Sequence, residues 1–347
     1  MESEDLLAFH RDLCLVDGHC DIPLMVNRLT DAGGSAPALH ETALGRAIRA
    51  GAVDVVVSPS YVELEYLPEG SLRRALQSFV RMERSVAQSA EHFAVVRTAR
   101  ELGAALGAGK TALVLGLEGC APLGYDPEML EVFVRLGARL IGFTWNERNP
   151  FASGAKQPDG EGLTPLGRAL VRTGDRLGVV FDVSHLNERT FWDVLETSTR
   201  PVVASHSNCR ALFNHARNIT DEQIKAIAAR GGVISLMIQS FVLSPAIAGL
   251  DDFLRHVSHA VELVGVDHVG FGYDFIEFVS GLDLMKMDYL PPDRPPGENA
   301  HKVIREIRTH AELPVLTEAL LRRGYSRSDV GRLMGGSWLD FLTRALP

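Results

Sequence analysis

The most regular feature of the chain is a series of short, continuous apolar runs separated by longer segments with helical character. Apolar residues follow one another in these runs and do not alternate with polar ones, which is typical of strands buried on both faces of a parallel sheet. The pattern therefore predicts eight parallel strands. The runs are LCLVDGH from Leu13, AVDVVVSPS from Ala52, ALVLGLEG from Ala112, ARLIGFTW from Ala138, GVVFDVSH from Gly178, PVVASHS from Pro201, GGVISLMI from Gly231 and HVGFGYDF from His268.

Helix signals fill the intervals between these runs. The segment TDEQIKAIAARGG has Thr220 as a predicted N-cap, Gln223 as the second half of a capping box, and Gly231 near the C-cap. Strands that alternate with helices predict a closed (β/α)8 barrel of the TIM type, formed by one domain over residues 1–347 with additional C-terminal helices. Three further helical segments are SLRRALQSFVRMERSVAQSAEH, TPLGRALVRTGDRLG and LDDFLRHVSHAVELVG.

A doubly wound open sheet is the competing architecture. It is disfavoured because no Gly-x-Gly-x-x-Gly follows the first strand and no Walker A lysine motif occurs. Two long segments rich in glycine and proline, about residues 146–165 and 276–300, follow predicted strands at the face where barrel enzymes place their active-site loops. They are candidate walls of an active site, and the alternative is that they are surface insertions.

Composition limits the partners of the protein. The 347 residues are 46% hydrophobic and 23% charged, with a formal net charge of -9. An acidic chain without a dense lysine and arginine cluster is not expected to bind nucleic acid, so small molecules or peptides are the expected partners. The start MESEDLLAFHRDL lacks the pattern of a secretory signal, and no apolar run approaches the roughly 20 residues of a membrane span. We therefore expect a cytoplasmic protein without a membrane partner.

Ionisable side chains stand at the carboxyl ends of five of the predicted strands. In a barrel these ends meet at one mouth. Each histidine alone would more often be a hydrogen-bonded structural residue than a ligand, but three histidines and three carboxylates at one mouth indicate a metal site. Catalytic zinc usually takes three protein ligands, so the set is large enough for two ions. The residues are His19, Asp21, Glu118, His185, His206 and Asp274.

The residue types also indicate how two ions would share these ligands. A carboxylate can bridge two ions, and imidazole is a suitable zinc ligand. Glu118 is therefore predicted to join one ion held by His19 and Asp21 to a second ion held by His185 and His206. The predicted cofactor is two zinc ions per chain.

These motifs resemble those of the membrane (renal) dipeptidase family of zinc peptidases, in a bacterial-type soluble form. The resemblance runs through nearly the whole chain. It includes DGHCD followed by IP at the first strand, EG at the third, DVSH at the fifth, SHS at the sixth, HARNITDE after it and GYDF at the eighth. It implies a distorted (β/α)8 barrel with two zinc ions, hydrolysis of dipeptides, and tolerance of a D-configured C-terminal residue.

A two-metal centre of this kind suggests a mechanism. A hydroxide that bridges the metals is the expected nucleophile, and Asp274 is expected to accept its proton and return it to the leaving amine, while Glu118 takes part as the bridge. Arg217 has a planar guanidinium able to hold the free C-terminal carboxylate of a dipeptide. Without the resemblance, an ion pair or a helix-end contact would be the preferred interpretation of Arg217.

Three positions depart from the pattern of this family. Trp145 stands where the mammalian enzymes have a histidine that contacts substrate, and Gln239 stands about where a substrate-binding tyrosine is expected. Ile276 replaces a second aspartate that many relatives have after the DF pair. We assign Trp145, Asn146 and Gln239 to the substrate pocket, Trp145 through its shape only and Asn146 through a hydrogen bond.

Two other classes of function remain open. One is a binuclear metal hydrolase of another amide or a lactone, or a tailoring enzyme for a peptide-derived metabolite, with Trp145 and Gln239 marking a changed pocket. The other is a noncatalytic binding relative, which the complete set of candidate ligands together with Asp274 argues against. A homodimer is compatible with each of these functions.

Overall fold

A computed structural model describes residues 3–276 and 303–347 of the chain. The described strands are β1 (Val16–Asp17), β2 (Val55–Tyr61), β3 (Phe93–Val95), β4 (Thr111–Glu118), β5 (Leu140–Gly142), β6 (Val180–Asp182), β7 (Val202–Val203), β8 (Ile234–Leu236) and β9 (Val269–Phe271). The described helices are α1 (Ser3–Asp12), α2 (Ile22–Gly33), α3 (Ala43–Ala50), α4 (Ser71–Ala87), α5 (Ala99–Gly107), α6 (Leu130–Arg135), α7 (Pro165–Leu177), α8 (Glu188–Thr197), α9 (Asp221–Ala229), α10 (Ser240–Leu243), α11 (Leu250–Val264), α12 (Leu313–Arg322), α13 (Arg327–Gly331) and α14 (Ser337–Ala345).

The strands form a closed parallel ring. β1, β2, β4, β5, β6 and β7 pair in that order, and β8 pairs with β9. A parallel bridge between Ala204 and Ile234 joins β7 to β8, and the N–H of Gly18 donates to the carbonyl of Phe271 at 2.7 Å, which joins β9 to β1. The predicted (β/α)8 barrel is confirmed, and each of the predicted apolar runs supplies one strand of the ring. The ring is least regular beside β8 and β9, which join β7 and β1 through an isolated bridge and single backbone hydrogen bonds instead of continuous ladders.

The apolar pattern does not predict β3. This strand has the sequence FAV, pairs with β4 outside the ring, and has two half-buried residues. Three residues are too few to stand out as an apolar run. They form a strand because they pair with residues of β4, which a short sequence window around positions 93–95 does not include.

Alternate residues of the ring strands face two different cores. Val55 and Val57 belong to an inner cluster that includes Trp338, whereas Val56 belongs to the cluster under the surrounding helices. This follows from the two-residue period of a strand. The indole of Trp338, on α14, donates to the hydroxyl of Ser235 at 2.7 Å. The inner core of the barrel is therefore completed by the last helix of the chain.

The strongest helix signals of the sequence are confirmed. The capping box of Thr220 and Gln223 precedes α9, and α4, α7 and α11 coincide with the other predicted segments. The loop at about 146–165 connects β5 to α7, and the one at about 276–300 lies outside the described residues from position 277 on. Among the described residues, no helix combines the length and apolar character needed to cross a membrane.

Candidate metal centre

The polar strand ends converge at one end of the ring. Glu118 is the last residue of β4, and Asp21 directly precedes α2, where Pro23 in the first turn favours the start of a helix. The other members follow β1, β6, β7 and β9, and the side chains of all six are buried, apart from that of Asp274, which is 19% exposed. The cluster consists of His19, Asp21, Glu118, His185, His206 and Asp274.

The Glu118 carboxylate lies between the three histidines. Its Oε1 is 3.0 Å from Nε2 of His185 and 3.7 Å from Nε2 of His206. Its Oε2 is 3.7 Å from Nε2 of His19. The two oxygens thus face different halves of the cluster, which is the arrangement that a bridging carboxylate requires.

The second half of the cluster contains two further carboxylates. Nε2 of His19 is 4.0 Å from Oδ1 of Asp21 and 4.0 Å from Oδ1 of Asp274. The ligand atoms of these three residues all lie within 4.8 Å of one another, as do those of the group formed by Glu118 and the other two histidines. Asp274, which is predicted above to transfer a proton and not to be a principal ligand, lies as close to His19 as Asp21 does.

The donor atoms of the cluster fit a cation. Nε2 of His19 and Oδ1 of Asp21 are buried and have no hydrogen-bond partner among the described residues, which is costly unless something else satisfies them. Nδ1 of His185 lies 2.8 Å from Oδ1 of Asn146, an oxygen that can only accept, so the ring donates there and keeps a lone pair on Nε2. Nε2 of His185 faces Nε2 of His206 at 2.7 Å, and a cation between these two nitrogens would satisfy both. Imidazole nitrogen and carboxylate oxygen are the ligands that zinc accepts.

Burial sets the protonation states of the cluster. It lowers the pKa of all three histidines, that of His19 to about 3, which favours the neutral imidazole that binds metals. Burial also raises the pKa of the carboxyl groups, that of Asp274 to about 6, and the neighbouring carboxylates raise the pKa of Asp21 and Glu118 further. A bound cation would offset this cost of ionising the carboxyl groups.

Two members of the cluster have a left-handed backbone. His185 has φ 66° and Asp274 has φ 56°, values that residues with a Cβ rarely adopt and that cost about 1–3 kcal/mol each. Such strain is retained where the surrounding structure enforces it, which is common at functional sites. A Cβ on Gly272 would lie 1.8 Å from the carbonyl oxygen of Ser205, so this glycine allows the end of β9 to approach the end of β7.

Arg217 and Trp145 border the cluster. Nη2 of Arg217 donates to the carbonyl of His206 at 3.1 Å, and the positive charge of Arg217 lowers the pKa of Glu118 against the larger effect of burial. The Trp145 ring lies 5.2 Å from the Tyr61 ring and 6.1 Å from the His185 ring, measured between centroids. The two aromatic rings form a wall next to the histidine half of the cluster.

The two amide side chains assigned to substrate binding contact members of the cluster. Oδ1 of Asn146 accepts from His185 as described, and Nε2 of Gln239 donates to the carbonyl of Asp274 at 2.6 Å and lies 3.3 Å from its Oδ2. Asn146 therefore orients the His185 ring, and Gln239 orients Asp274. Direct contact of Asn146 or Gln239 with substrate stays a prediction.

The family model described as "Membrane dipeptidase (Peptidase family M19)" matches residues 4–287. The chain belongs to this family. The match covers β1 to β9 and all six members of the cluster. The resemblance inferred from the sequence motifs is therefore confirmed, and the family is one of metal-dependent peptidases.

Proteins similar to this chain include two that are named dipeptidases. Dipeptidase tcpJ of Claviceps purpurea is 28% identical over 76% of this chain, and Dipeptidase 3 of Rattus norvegicus is 27% identical over 97% of it. The matches span 58% and 66% of these relatives, less than two thirds of either. A solved structure of a metallo peptidase from Rhodobacter sphaeroides, liganded with a phosphinate mimic of the dipeptide L-Ala-D-Ala, superposes with a TM-score of 0.83 at 25% identity, over 96% of this chain and 99% of that one.

Asp17 and His310 form a buried pair behind the cluster of this membrane dipeptidase family member, a pair that the sequence motifs do not reveal. The two side chains are fully buried, with Oδ2 of Asp17 2.7 Å from Nε2 of His310. Oδ1 of Asp17 accepts the backbone N–H groups of His19 and Tyr273 at 3.0 Å each. Asp17 therefore connects the end of β1, the residues after β9 and His310 through hydrogen bonds. A separation of 293 residues along the chain hides this pair from local patterns.

We expect Asp17→Ala to lower the free energy of unfolding by about 3–5 kcal/mol, because it leaves His310 and two buried backbone N–H groups without their acceptor. Urea denaturation measures the change. Asp12→Ala, at an exposed aspartate of α1, is the control and should stay within about 0.5 kcal/mol of the wild type. Equal stability of the two variants would contradict the structural role of Asp17.

Proposed function

We propose that this member of the membrane dipeptidase family is a dipeptidase with two zinc ions per chain, able to hydrolyse dipeptides that include those with a D-configured C-terminal residue. The proposal is supported by one observation above all. A buried cluster of three histidines and three carboxylates lies at the barrel mouth, with Nε2 of His19 and Oδ1 of Asp21 unpartnered among the described residues. The L-Ala-D-Ala mimic bound to the Rhodobacter sphaeroides relative supports the substrate class.

The ligand assignment follows the two groups of the cluster. His185 and His206 would hold one ion, and His19 and Asp21 the other, with Glu118 between them because its two oxygens face the two groups. When bound, the ions supply Lewis acid polarisation of the peptide carbonyl and lower the pKa of water from 15.7 to about 7.

The residues of the chain then supply binding and proton transfer. We assign to Asp274 the transfer of the proton from the attacking water to the leaving nitrogen, because its carboxylate faces His19 and is oriented by Gln239. The aromatic wall of Tyr61 and Trp145 would bound the substrate pocket beside His185. A dipeptide in this pocket would place its carbonyl at the centre and its free carboxylate towards Arg217.

Arg217 is the residue that we assign to the C-terminal carboxylate of the substrate. Arg217→Ala should raise KM for dipeptides by roughly 10- to 150-fold, since it removes ~1.5–3 kcal/mol of charge-assisted hydrogen bonding. For amidated dipeptides, which lack the carboxylate, the same substitution should raise KM much less. Steady-state kinetics on matched free and amidated substrates measure both effects.

A purely structural role of Arg217 predicts a different result. The substitution would then mainly remove the hydrogen bond from Arg217 to the carbonyl of His206, and kinetics with free and with amidated dipeptides would be impaired equally. Arg210→Ala is the matched control, because Arg210 lies in the same segment and contacts Glu188 and the carbonyl of Asn218. It should leave KM unchanged.

A substrate panel tests the proposed function itself. Purified protein loaded with zinc should hydrolyse L-Xaa-L-Xaa or L-Xaa-D-Xaa dipeptides, with tripeptides and amidated dipeptides as poor substrates. Turnover of lactones or of other amides in the same panel, without turnover of dipeptides, would favour the alternative hydrolase and give the changes at Trp145 and Gln239 a role in specificity. No turnover despite bound zinc would favour a noncatalytic relative.

A further inference from the structure

Asp182 and Ser205 lie behind the candidate metal centre and belong to none of the assignments made so far. Asp182 ends β6, and Ser205 follows β7; both are buried. Oδ1 of Asp182 accepts the backbone N–H groups of Ser184 at 3.0 Å and Ser205 at 2.9 Å. Oδ2 of Asp182 lies 2.5 Å from Oγ of Ser205, so this hydroxyl donates its hydrogen to the carboxylate.

The same hydroxyl contacts two of the candidate zinc ligands. Oγ of Ser205 lies 2.7 Å from Nδ1 of His206 and 3.4 Å from Nδ1 of His19. A hydroxyl has one hydrogen and two lone pairs, and the hydrogen is already committed to Asp182. Ser205 can then only accept from the two rings, so Nδ1–H on both rings is the arrangement that satisfies it, with a lone pair left on each Nε2. Nε2 of His206 faces Nε2 of His185 at 2.7 Å, a pair of nitrogens that a shared cation would satisfy.

We propose that Asp182 and Ser205 form a positioning pair that holds His206 and His19 in the tautomer able to bind zinc through Nε2. The proposal rests on the metal centre of the proposed function, and it couples the two halves of that centre through one hydroxyl. Partners of this kind behind metal-binding histidines typically raise metal affinity by about 10- to 100-fold. His185 does not depend on this pair, because its Nδ1 donates to Asn146.

The geometry also accounts for a second grouping of possible ligand atoms. One ligand atom each of His19, Asp182 and His206 lies within 4.8 Å of the others, as in a metal site. The hydroxyl of Ser205 is within 3.4 Å of all three side chains. It therefore takes the central position as their common hydrogen-bond partner.

Two substitutions test the pair in different ways. Ser205→Ala removes the common acceptor. Asp182→Asn keeps the shape but reverses the hydrogen bonding: its amide oxygen must still face the two backbone N–H groups, so its NH2 group faces Ser205. The hydroxyl hydrogen then turns towards Nδ1 of His206 and favours the wrong tautomer.

The experiment measures zinc affinity by competition with a chelator, together with NMR of the ring N–H groups in protein labelled with 15N-histidine. In the zinc-loaded wild type we expect exchange-protected Nδ1–H signals for His19, His185 and His206. Ser205→Ala should shift or broaden the signals of His206 and His19, leave that of His185 unchanged, and weaken zinc binding by about 10- to 100-fold. Asp182→Asn should weaken zinc binding at least as much.

The matched control is Ser60→Ala. Ser60 is a buried serine of β2 whose hydroxyl has no hydrogen-bond partner among the described residues, and it lies near Phe79 and Met82 under the helices. Its replacement should leave zinc affinity and the histidine signals unchanged. Wild-type affinity and unchanged signals in both Ser205→Ala and Asp182→Asn would overturn the positioning pair. A wild-type protein without zinc affinity would instead overturn the proposed metal centre.

Discussion

Replacing Asp274 by asparagine is expected to lower kcat by about 10²–10⁴-fold while the protein keeps its metals and its fold. The amide side chain would have nearly the same shape as the native carboxylate but could not accept a proton from the attacking water. The native carboxylate lies 4.0 Å from Nε2 of His19 and is oriented by Gln239. These features suit a group that takes up and releases one proton during turnover.

The measurement combines kcat and metal content on one preparation of Asp274→Asn. KM for dipeptides should change little, because the substitution removes a step in the reaction and not a binding contact. Asp267→Asn is the control, at an exposed aspartate that pairs with Arg332 and belongs to none of the candidate metal-binding groups, and it should keep wild-type kcat.

Two other outcomes would identify a different role for Asp274. If Asp274 is mainly a ligand beside His19 and Asp21, the variant should lose metal, and excess zinc should restore activity. Full metal occupancy with near-normal turnover would rule out proton transfer by Asp274.

The second large effect is expected for Glu118→Gln. Wild-type protein purified without chelator should contain close to two zinc ions per chain, and the variant should lose metal and activity together. The reason is that a neutral amide cannot bridge two cations: it offers one oxygen, whereas both Glu118 oxygens face histidine nitrogens. The loss of affinity should exceed the roughly 10- to 100-fold effect of removing an outer partner of a metal ligand.

Elemental analysis and chelator competition measure this loss. Glu91→Gln, at an exposed glutamate outside the cluster, should retain the wild-type metal content. Unchanged occupancy in Glu118→Gln would show that Glu118 has another role, and one ion per wild-type chain would argue against the bridged centre.

The sequence alone was sufficient to predict the barrel and the residues at its mouth. Runs such as AVDVVVSPS and ALVLGLEG are continuous because both faces of a parallel strand are buried. An uninterrupted apolar run therefore indicates a parallel strand from the sequence alone. In a closed barrel all strand ends meet, so the order of His19, Glu118, His185 and His206 along the chain was enough to predict that they converge. The short strand β3 was not predicted because its three residues, FAV, are too few to form a recognisable apolar run.

Only the tertiary structure decided which polar residues support that cluster. Asp17 pairs with His310 across 293 positions, and the hydroxyl of Ser205 joins Asp182 to His206 and His19. The physical reason is that a hydrogen bond depends on distances of about 3 Å and on which atom has the hydrogen, quantities that a local pattern of apolar and polar residues does not contain. The sequence by itself determined the barrel and the candidate members of the metal centre; only the folded chain determined which hydrogen-bond partners lie behind them.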